Sequence, residues 1–287
     1  MQQSVPVIGE SHIPRAKVLV FGTMGDIAEV AQQSLLRAGY EVEAVAFAQN
    51  LLRDESGYRR ELVRASQRFD PDFILPAGNN IAPARIKSTW SLRPLIITDA
   101  AEKVEMLDSK LSASRLAAEL CIPQPRIFAS ADEVPSYPVI FKRDVSFAGS
   151  GVYKPSSREA LERITEHFAS HPYLIEEYIE GSDWSVDAIR WNGYFRCSSY
   201  RTLTHHGQGP STTRELVRRP DLESYARMLL DAVDYHGVCG IDFRIAPDGR
   251  PFFLECNPRL TGGLSTQIEG GFDIPEELLR LARTDMQ

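Results

Sequence analysis

Cysteine is scarce in this chain, with four in 287 residues. Cys121, Cys197, Cys239 and Cys256 show no paired spacing, which sets aside a disulfide framework or a zinc site. Reduced thiols in a cytoplasmic protein are the expectation. Long apolar runs are missing, and none approaches the roughly 18 residues of a membrane-spanning helix. So is any basic excess: the net charge is −7, whereas non-specific nucleic-acid binding needs a positive footprint. Neither a membrane nor a nucleic acid is therefore expected as a partner. Met1–Lys17 carries Pro6, Glu10 and Pro14 without an apolar core, so it is not read as a signal peptide. Two common nucleotide signatures are also absent. No Gly-Lys-Ser/Thr of a Walker-type loop occurs, and Gly22-Thr23-Met24-Gly25 falls short of Gly-x-Gly-x-x-Gly. The catalytic and metal motifs of protein kinases are missing too.

Apolar residues make up 43% and charged residues 25%, an ordinary mix for a globular protein with room for two domains. The first hundred residues alternate strand and helix. Lys17–Phe21, Tyr40–Val45, Phe73–Pro76 and Leu95–Ile97 read as strands, with helices over about 27–38 and 57–69. That alternation predicts a parallel sheet covered by helices. Asn79 and Asn80 fall at the sheet edge where such folds bind ligands. Beyond Asp108 the pattern is more mixed and antiparallel, which places a domain boundary near residue 105. A helix follows there, with Asp108 or Ser109 as its cap. The segment Arg201–Arg218 reads as polar and irregular at first.

Near the C-terminus two strand-like runs, Gly240–Ile245 and Phe252–Asn257, flank Asp248-Gly249, a strong hairpin signal. A two-residue loop there sets Asp242 opposite Glu255, with Asn257 on the same face. Carboxylates so opposed repel unless a cation lies between them. Asp, Glu and Asn offer only oxygen, which suits a hard ion such as Mg²⁺. Cys256 points to the opposite face as core packing. Arg259 and the turn Thr261-Gly262-Gly263 follow at once, and a guanidinium with a glycine turn suits phosphate. Upstream, Lys142 ends an apolar strand. The loop after it holds Ser146, Gly149, Ser150 and Gly151, whose backbone amides can approach phosphate.

The string Ile241-Asp242-Phe243 … Phe253-Leu254-Glu255-Cys256-Asn257-Pro258-Arg259 resembles the metal signature of the ATP-grasp superfamily. The remaining motifs of that family lie upstream in its order, from Lys110 onward. The resemblance implies carboxylate–amine ligase chemistry, similar to the carbamoyl-phosphate-synthase-like and amino-acid ligase branch. It implies an α/β fold in which an N-terminal parallel α/β domain (1–105) precedes an ATP-grasp domain (106–287) of two α+β subdomains, a lid over about 125–180 and a C-terminal part over about 181–287. Lys110 and Lys142 are implied phosphate contacts, and Ser146, Gly149, Ser150 and Gly151 the loop over the triphosphate. Glu176, Glu177, Tyr178 and Ile179 resemble the adenine-reading segment. Asp183 stands where the family usually has a ribose-binding Glu. Asp242, Glu255 and Asn257 are the implied ligands of two Mg²⁺ ions, with Mn²⁺ as an alternative.

The implied reaction activates a carboxylate as an acyl phosphate from ATP and couples it to an amine, or more rarely a thiol. Arg259 and Lys142 are then catalytic. Arg201, Arg214, and either His205 or His206 are candidates for the substrate wall, with His206 as a proton acceptor. The chain closes soon after Ile274-Pro275, which is read as speaking against a carboxylase acting on biotin. A regulatory ATP-binding protein and a small-molecule kinase on the same fold are the alternatives. Small-molecule carboxylate and amine partners are expected, and a homo-oligomer stays open.

Overall fold

The computed structural model describes residues 16–22, 25–47, 54–146, 150–205 and 211–285. The N-terminal part runs β1 (Lys17–Gly22), α1 (Gly25–Arg37), β2 (Glu41–Ala46), α2 (Glu55–Phe69), β3 (Phe73–Pro76), α3 (Ile81–Lys87), β4 (Leu95–Ile96) and α4 (Ala101–Asp108). Its strands pair in parallel in the order β2-β1-β3-β4. This is the parallel sheet expected from the alternating pattern. β3, and β1 beyond Lys17, are apolar and buried, as parallel strands covered on both faces must be. Helices α3 and α4 went unread in the sequence. α3 carries Pro83 and the apolar periodicity of both is only two turns long.

The second part begins with α5 (Lys110–Glu119), capped by Ser109, whose hydroxyl accepts from the Ser112 N–H at 3.1 Å. Next come β5 (Ile127–Phe128), β6 (Val139–Arg143), β7 (Val152–Tyr153), α6 (Arg158–His167) and β8 (Tyr173–Glu177). These strands form an antiparallel sheet in the order β5-β8-β6-β7. Phe128, Val139, Phe141, Leu161 and Ile175 give it a small core of its own.

The third sheet follows: β9 (Ser182–Trp191), β10 (Tyr194–His205), β11 (Ser211–Leu216), α7 (Pro220–Ala232), β12 (Gly237–Ile245), β13 (Pro251–Asn257), α8 (Leu264–Glu269) and α9 (Ile274–Thr284). Its antiparallel order is β11-β10-β9-β12-β13. Asn192 and Gly193 both have positive φ and join β9 to β10, the turn chemistry a tight hairpin needs. The segment expected to be irregular, Arg201–Arg218, instead carries the end of β10 and all of β11. Ladder bonds at the sheet edge, with Thr202, Thr204 and Thr213 as strand-favouring residues, override its polar composition.

One face of the third sheet packs on α4, α5 and α7 through Val186, Ala188, Leu229, Ile241 and Phe243. A separate core joins the first sheet to the C-terminal helices. Val18, Val20, Leu35 and Phe73 share it with Trp191, Leu278 and Leu281. Among the described residues, no helix is long and apolar enough to cross a membrane.

Candidate nucleotide and metal site

The hairpin of β12 and β13 closes over three residues, Pro247–Gly249, and not over the expected two. The Ala246 N–H donates to Arg250 O at 3.0 Å, and the Gly249 N–H to Ala246 O at 2.8 Å. Gly249 has φ +86, the left-handed turn position that favours glycine. That loop sets Ile245 opposite Pro251 and Phe243 opposite Phe253. Continued evenly, it would place Asp242 opposite Leu254. A bulge at Leu254 restores the pairing of Asp242 with Glu255 and of Gly240 with Asn257. The bulge also turns the side chains: Phe253 and Cys256 are buried in the core, while Glu255 and Asn257 share the other face. Freed from the ladder, the Phe253 N–H donates to Pro123 O at 2.8 Å.

That face gathers charge of both signs. Lys110, only 4% exposed at the start of α5, lies 3.1 Å from a Glu255 carboxylate oxygen. Its ammonium also reaches the carbonyls of Asp144 and Ser146, at 3.4 and 3.3 Å. The Asp144 carboxylate caps α5, accepting from the Ser109 hydroxyl and the Leu111 N–H. Asn257 Nδ2 donates to Asp242 at 3.0 Å and to Glu255 at 3.4 Å. Its Oδ1 accepts from Arg259 at 2.7 Å. The Ser185 hydroxyl donates to the other Asp242 oxygen at 2.5 Å.

Burial first, and then the neighbouring Glu255 carboxylate, push Asp242 up to about 7. Burial alone would raise Glu255 as well. Lys110, Lys142 and Arg259 outweigh it and hold Glu255 below the usual carboxylate range. A pair so divided wants a cation. Among the described residues no three His, Cys, Asp or Glu side chains converge on one point. The donor set is two carboxylates and one amide, all hard oxygen donors, and it fits a hard divalent ion completed by phosphate and water. The two N–H bonds of Asn257 occupy the carboxylate oxygens that such an ion would take.

A second charged pair lies on the small sheet. Lys142 and Glu176, both buried, approach to 2.6 Å. Glu177 is exposed and Tyr178 carries the Lys154 ammonium over its ring at 3.5 Å. Tyr178 and Ile179 fall in the link between β8 and β9. Ser146 follows β6, and Gly151 returns to it, accepting the Arg143 N–H at 2.9 Å. Ser150 and Gly151 lie just before β7. Asp183 pairs with Arg244 at 2.9 Å across β9 and β12. Gly149 and His206 lie outside the described residues, as does the His205 side chain.

Arg201 needs correcting. It stands opposite Trp184, which is opposite Phe243, and these belong to the core face of the sheet. Strand alternation therefore turns Arg201 away from Asp242. Arg214 has the other phase: it stands opposite Thr202, on the face shared by Tyr200, Ser185 and Asp242.

Several residues of this face went unread. Asp187, 1% exposed, accepts from the Thr261 hydroxyl at 2.9 Å and from Gln267 at 3.2 Å. Burial pushes it up to about 6 against those bonds and the charges of Arg214 and Arg259. Asp108, partly buried at the end of α4, is raised by burial against Arg259 and Lys110. The N-terminal part of the chain reaches the site through Asn80, whose Nδ2 donates to Pro258 O at 3.0 Å.

Comparison with known proteins agrees with this geometry. Residues 169–287 match the family model "ATP-grasp in the biosynthetic pathway with Ter operon". The carbamoyl phosphate synthase large chain of Lachnoclostridium phytofermentans is 22% identical over 185 residues. That match takes in 57% of this chain and 17% of the synthase, so the chain spans a small part of that relative. Biotin carboxylase from Campylobacter jejuni superposes with TM-score 0.78 at 18% identity, over 93% of this chain and 71% of that one. An L-amino acid ligase from Bacillus licheniformis superposes with TM-score 0.72 at 16% identity, over 92% and 73%. The fold is the ATP-grasp fold, and residues 169–287 are the part of the chain that resembles an ATP-grasp family model.

Proposed function

We propose that the protein is an ATP-dependent ligase that activates a carboxylate as an acyl phosphate and couples it to an amine. In this reading residues 1–105 form the domain preceding the grasp and 106–287 the grasp itself. One observation carries the reading. Lys110, Asp242, Glu255, Asn257 and Arg259 come from two distant stretches of chain and meet on one face. Such a set, with Lys142 nearby, matches the charge pattern of a triphosphate and its metal ions.

Mg²⁺ held by Asp242, Glu255 and Asn257 would neutralise charge developing on the β and γ phosphoryl oxygens. Lys110 and Lys142 would hold the triphosphate. The Ser146–Gly151 turn would cover it and keep water from an intermediate that hydrolyses easily. Arg259 is free to clamp the reacting carboxylate once a metal ion takes the place of its Asn257 contact. Glu176, Glu177, Tyr178 and Ile179 would line the adenine, and Asp183 would take the ribose once parted from Arg244.

The test is ADP release against panels of acids and amines, with hydroxylamine added to trap an acyl phosphate as a hydroxamate. Turnover that needs both an acid and an amine, with hydroxamate formed from the acid alone, is the expected result. Glu255→Ala should lose turnover while keeping its circular dichroism spectrum. Phosphate transferred stably to an alcohol would make the protein a kinase. Nucleotide binding with no turnover on any panel would make it a regulator.

A further inference from the structure

Where the N-terminal part of the chain meets the end of β13, one buried side chain is only half used. Asn80 precedes α3 and is 5% exposed. Its Nδ2 donates to Pro258 O at 3.0 Å, but its Oδ1 is buried and takes no hydrogen bond. An asparagine in that place ordinarily turns its oxygen to the first amides of the helix. Here it makes no such bond, and Asn79 Oδ1 accepts from the Ile81 N–H at 2.8 Å instead. A buried acceptor without a donor is costly, so this oxygen is set for a donor carried by a ligand. Asp108 comes to the same place. Helix α3 runs against α4: Arg85 Nε meets Glu105 at 2.5 Å, and Lys87 donates to Thr98 O. The start of α3 and the end of α4, which is Asp108, thus lie at one end of the pair. Both reach the segment Pro258–Arg259. Pro258 O also accepts from the Tyr235 hydroxyl at 3.4 Å, and Tyr235 and Arg259 both feel the Asp108 charge. The Asp108 carboxylate takes no hydrogen bond from a described residue, and burial raises it in spite of Arg259 and Lys110.

We propose that Asn80 and Asp108 form the subsite of the amine substrate and receive it as a primary ammonium. The proposal rests on the ligase reading for the role of Arg259, and it names the second substrate of that same site. What the two residues offer is an amide oxygen and a carboxylate, both acceptors. An ammonium brings three N–H donors and a positive charge, so one group serves both. A hydroxyl or thiol brings a single donor and no charge, and would leave one acceptor unpaired. An anion would meet two acceptors and be repelled. Beside Arg259, the nitrogen is delivered to the carboxylate that the guanidinium holds. The subsite thereby favours amines over alcohols and thiols as acceptors of the acyl group.

The experiment measures binding by calorimetry to the full chain in the presence of Mg·ADP. The probes are L-amino acids, each against its 2-hydroxy acid, and ethanolamine against ethylene glycol. At least one amine is expected to bind, with its hydroxy counterpart weaker by about tenfold or more. Asp108→Asn, which keeps the shape and removes the charge, should cut that preference by a similar factor. Asn80→Leu should cut it too, and if that variant loses its fold, Asp108→Asn alone decides. No binding by any probe, or equal binding of amine and hydroxy counterpart, overturns the proposal and leaves Asn80 Oδ1 to a buried water. A preference for the amine that survives in Asp108→Asn also overturns it. An amine that binds through Asp108 yet supports ADP release with no acid would count against the ligase reading and leave the subsite standing.

Discussion

Asp242 and Asp187 are carboxylates that the fold prefers to keep protonated. Asp242 is pushed up to about 7 and Asp187 to about 6, from an ordinary value of 3.8, by burial above all. The unfolded chain releases these protons near pH 4, whereas the metal-free folded protein holds them to pH 6 or 7. Between those limits the folded state binds more protons, so stability falls as pH rises and levels off above about 7. Each such group contributes a slope of at most about 1.4 kcal/mol per pH unit. Asp242→Asn should therefore flatten the decline between pH 5 and 8, read as urea midpoints at each pH. A variant as steep as the parent would refute the assignment. Glu255 acts the other way: its lowered value adds stability that is present above its unfolded value and lost in acid. The Asp248-Gly249 hairpin signal announced Asp242, Glu255 and Asn257, because pairing across the hairpin and alternation along the second strand are enough to group them. Asp187 and Ser185 stayed hidden, since their face is fixed only once β9 is known to pair with β12.

At the scale of elements, the hairpin reached the expected pairing by an unexpected route. The loop is one residue longer than Asp-Gly alone suggests, and the bulge at Leu254 takes up the difference. Strand pattern cannot show either change, because the two cancel at Asp242. They part again under deletion. Removing Leu254 should leave Phe253 in the core and Glu255 opposite Asp242, so affinity for a fluorescent ATP analogue with Mg²⁺ should stay within several-fold. Removing Cys256 should turn Asn257 to the core face and abolish the Mg²⁺-dependent part of that binding. A Leu254 deletion as damaging as the Cys256 deletion, in chains of equal helix and strand content, would refute this account. Arg201 and Arg214 teach the same lesson. Both are arginines in a polar stretch, and only the β10–β11 ladder tells which one faces the site.

Across the whole molecule, the motif order and the alternation of strands and helices made the three-sheet plan readable. The shared core was not, because it joins residues more than two hundred positions apart. Val18, Phe73, Leu278 and Leu281 lie in one cluster, while the small sheet keeps a core to itself. Two behaviours should follow. Residues 106–287 expressed alone should bind the dye ANS and lack sharp side-chain NMR signals, since the apolar face of α9 loses its cover. In the full chain, amides of β5–β8 should exchange faster than those of β9 and β12, and Mg·ATP should slow them. Uniform exchange across both sheets would contradict the separate core.

The cluster that joins Val18 and Leu35 to Leu278 and Leu281 also sets a timetable for synthesis. At roughly 5–20 residues per second, α1 waits for tens of seconds before α9 leaves the ribosome. Throughout that interval the part of its apolar stripe that meets α8 and α9 has no permanent partner. The nascent chain is thus a natural client for a ribosome-associated chaperone, and slowing translation late in the message prolongs that need.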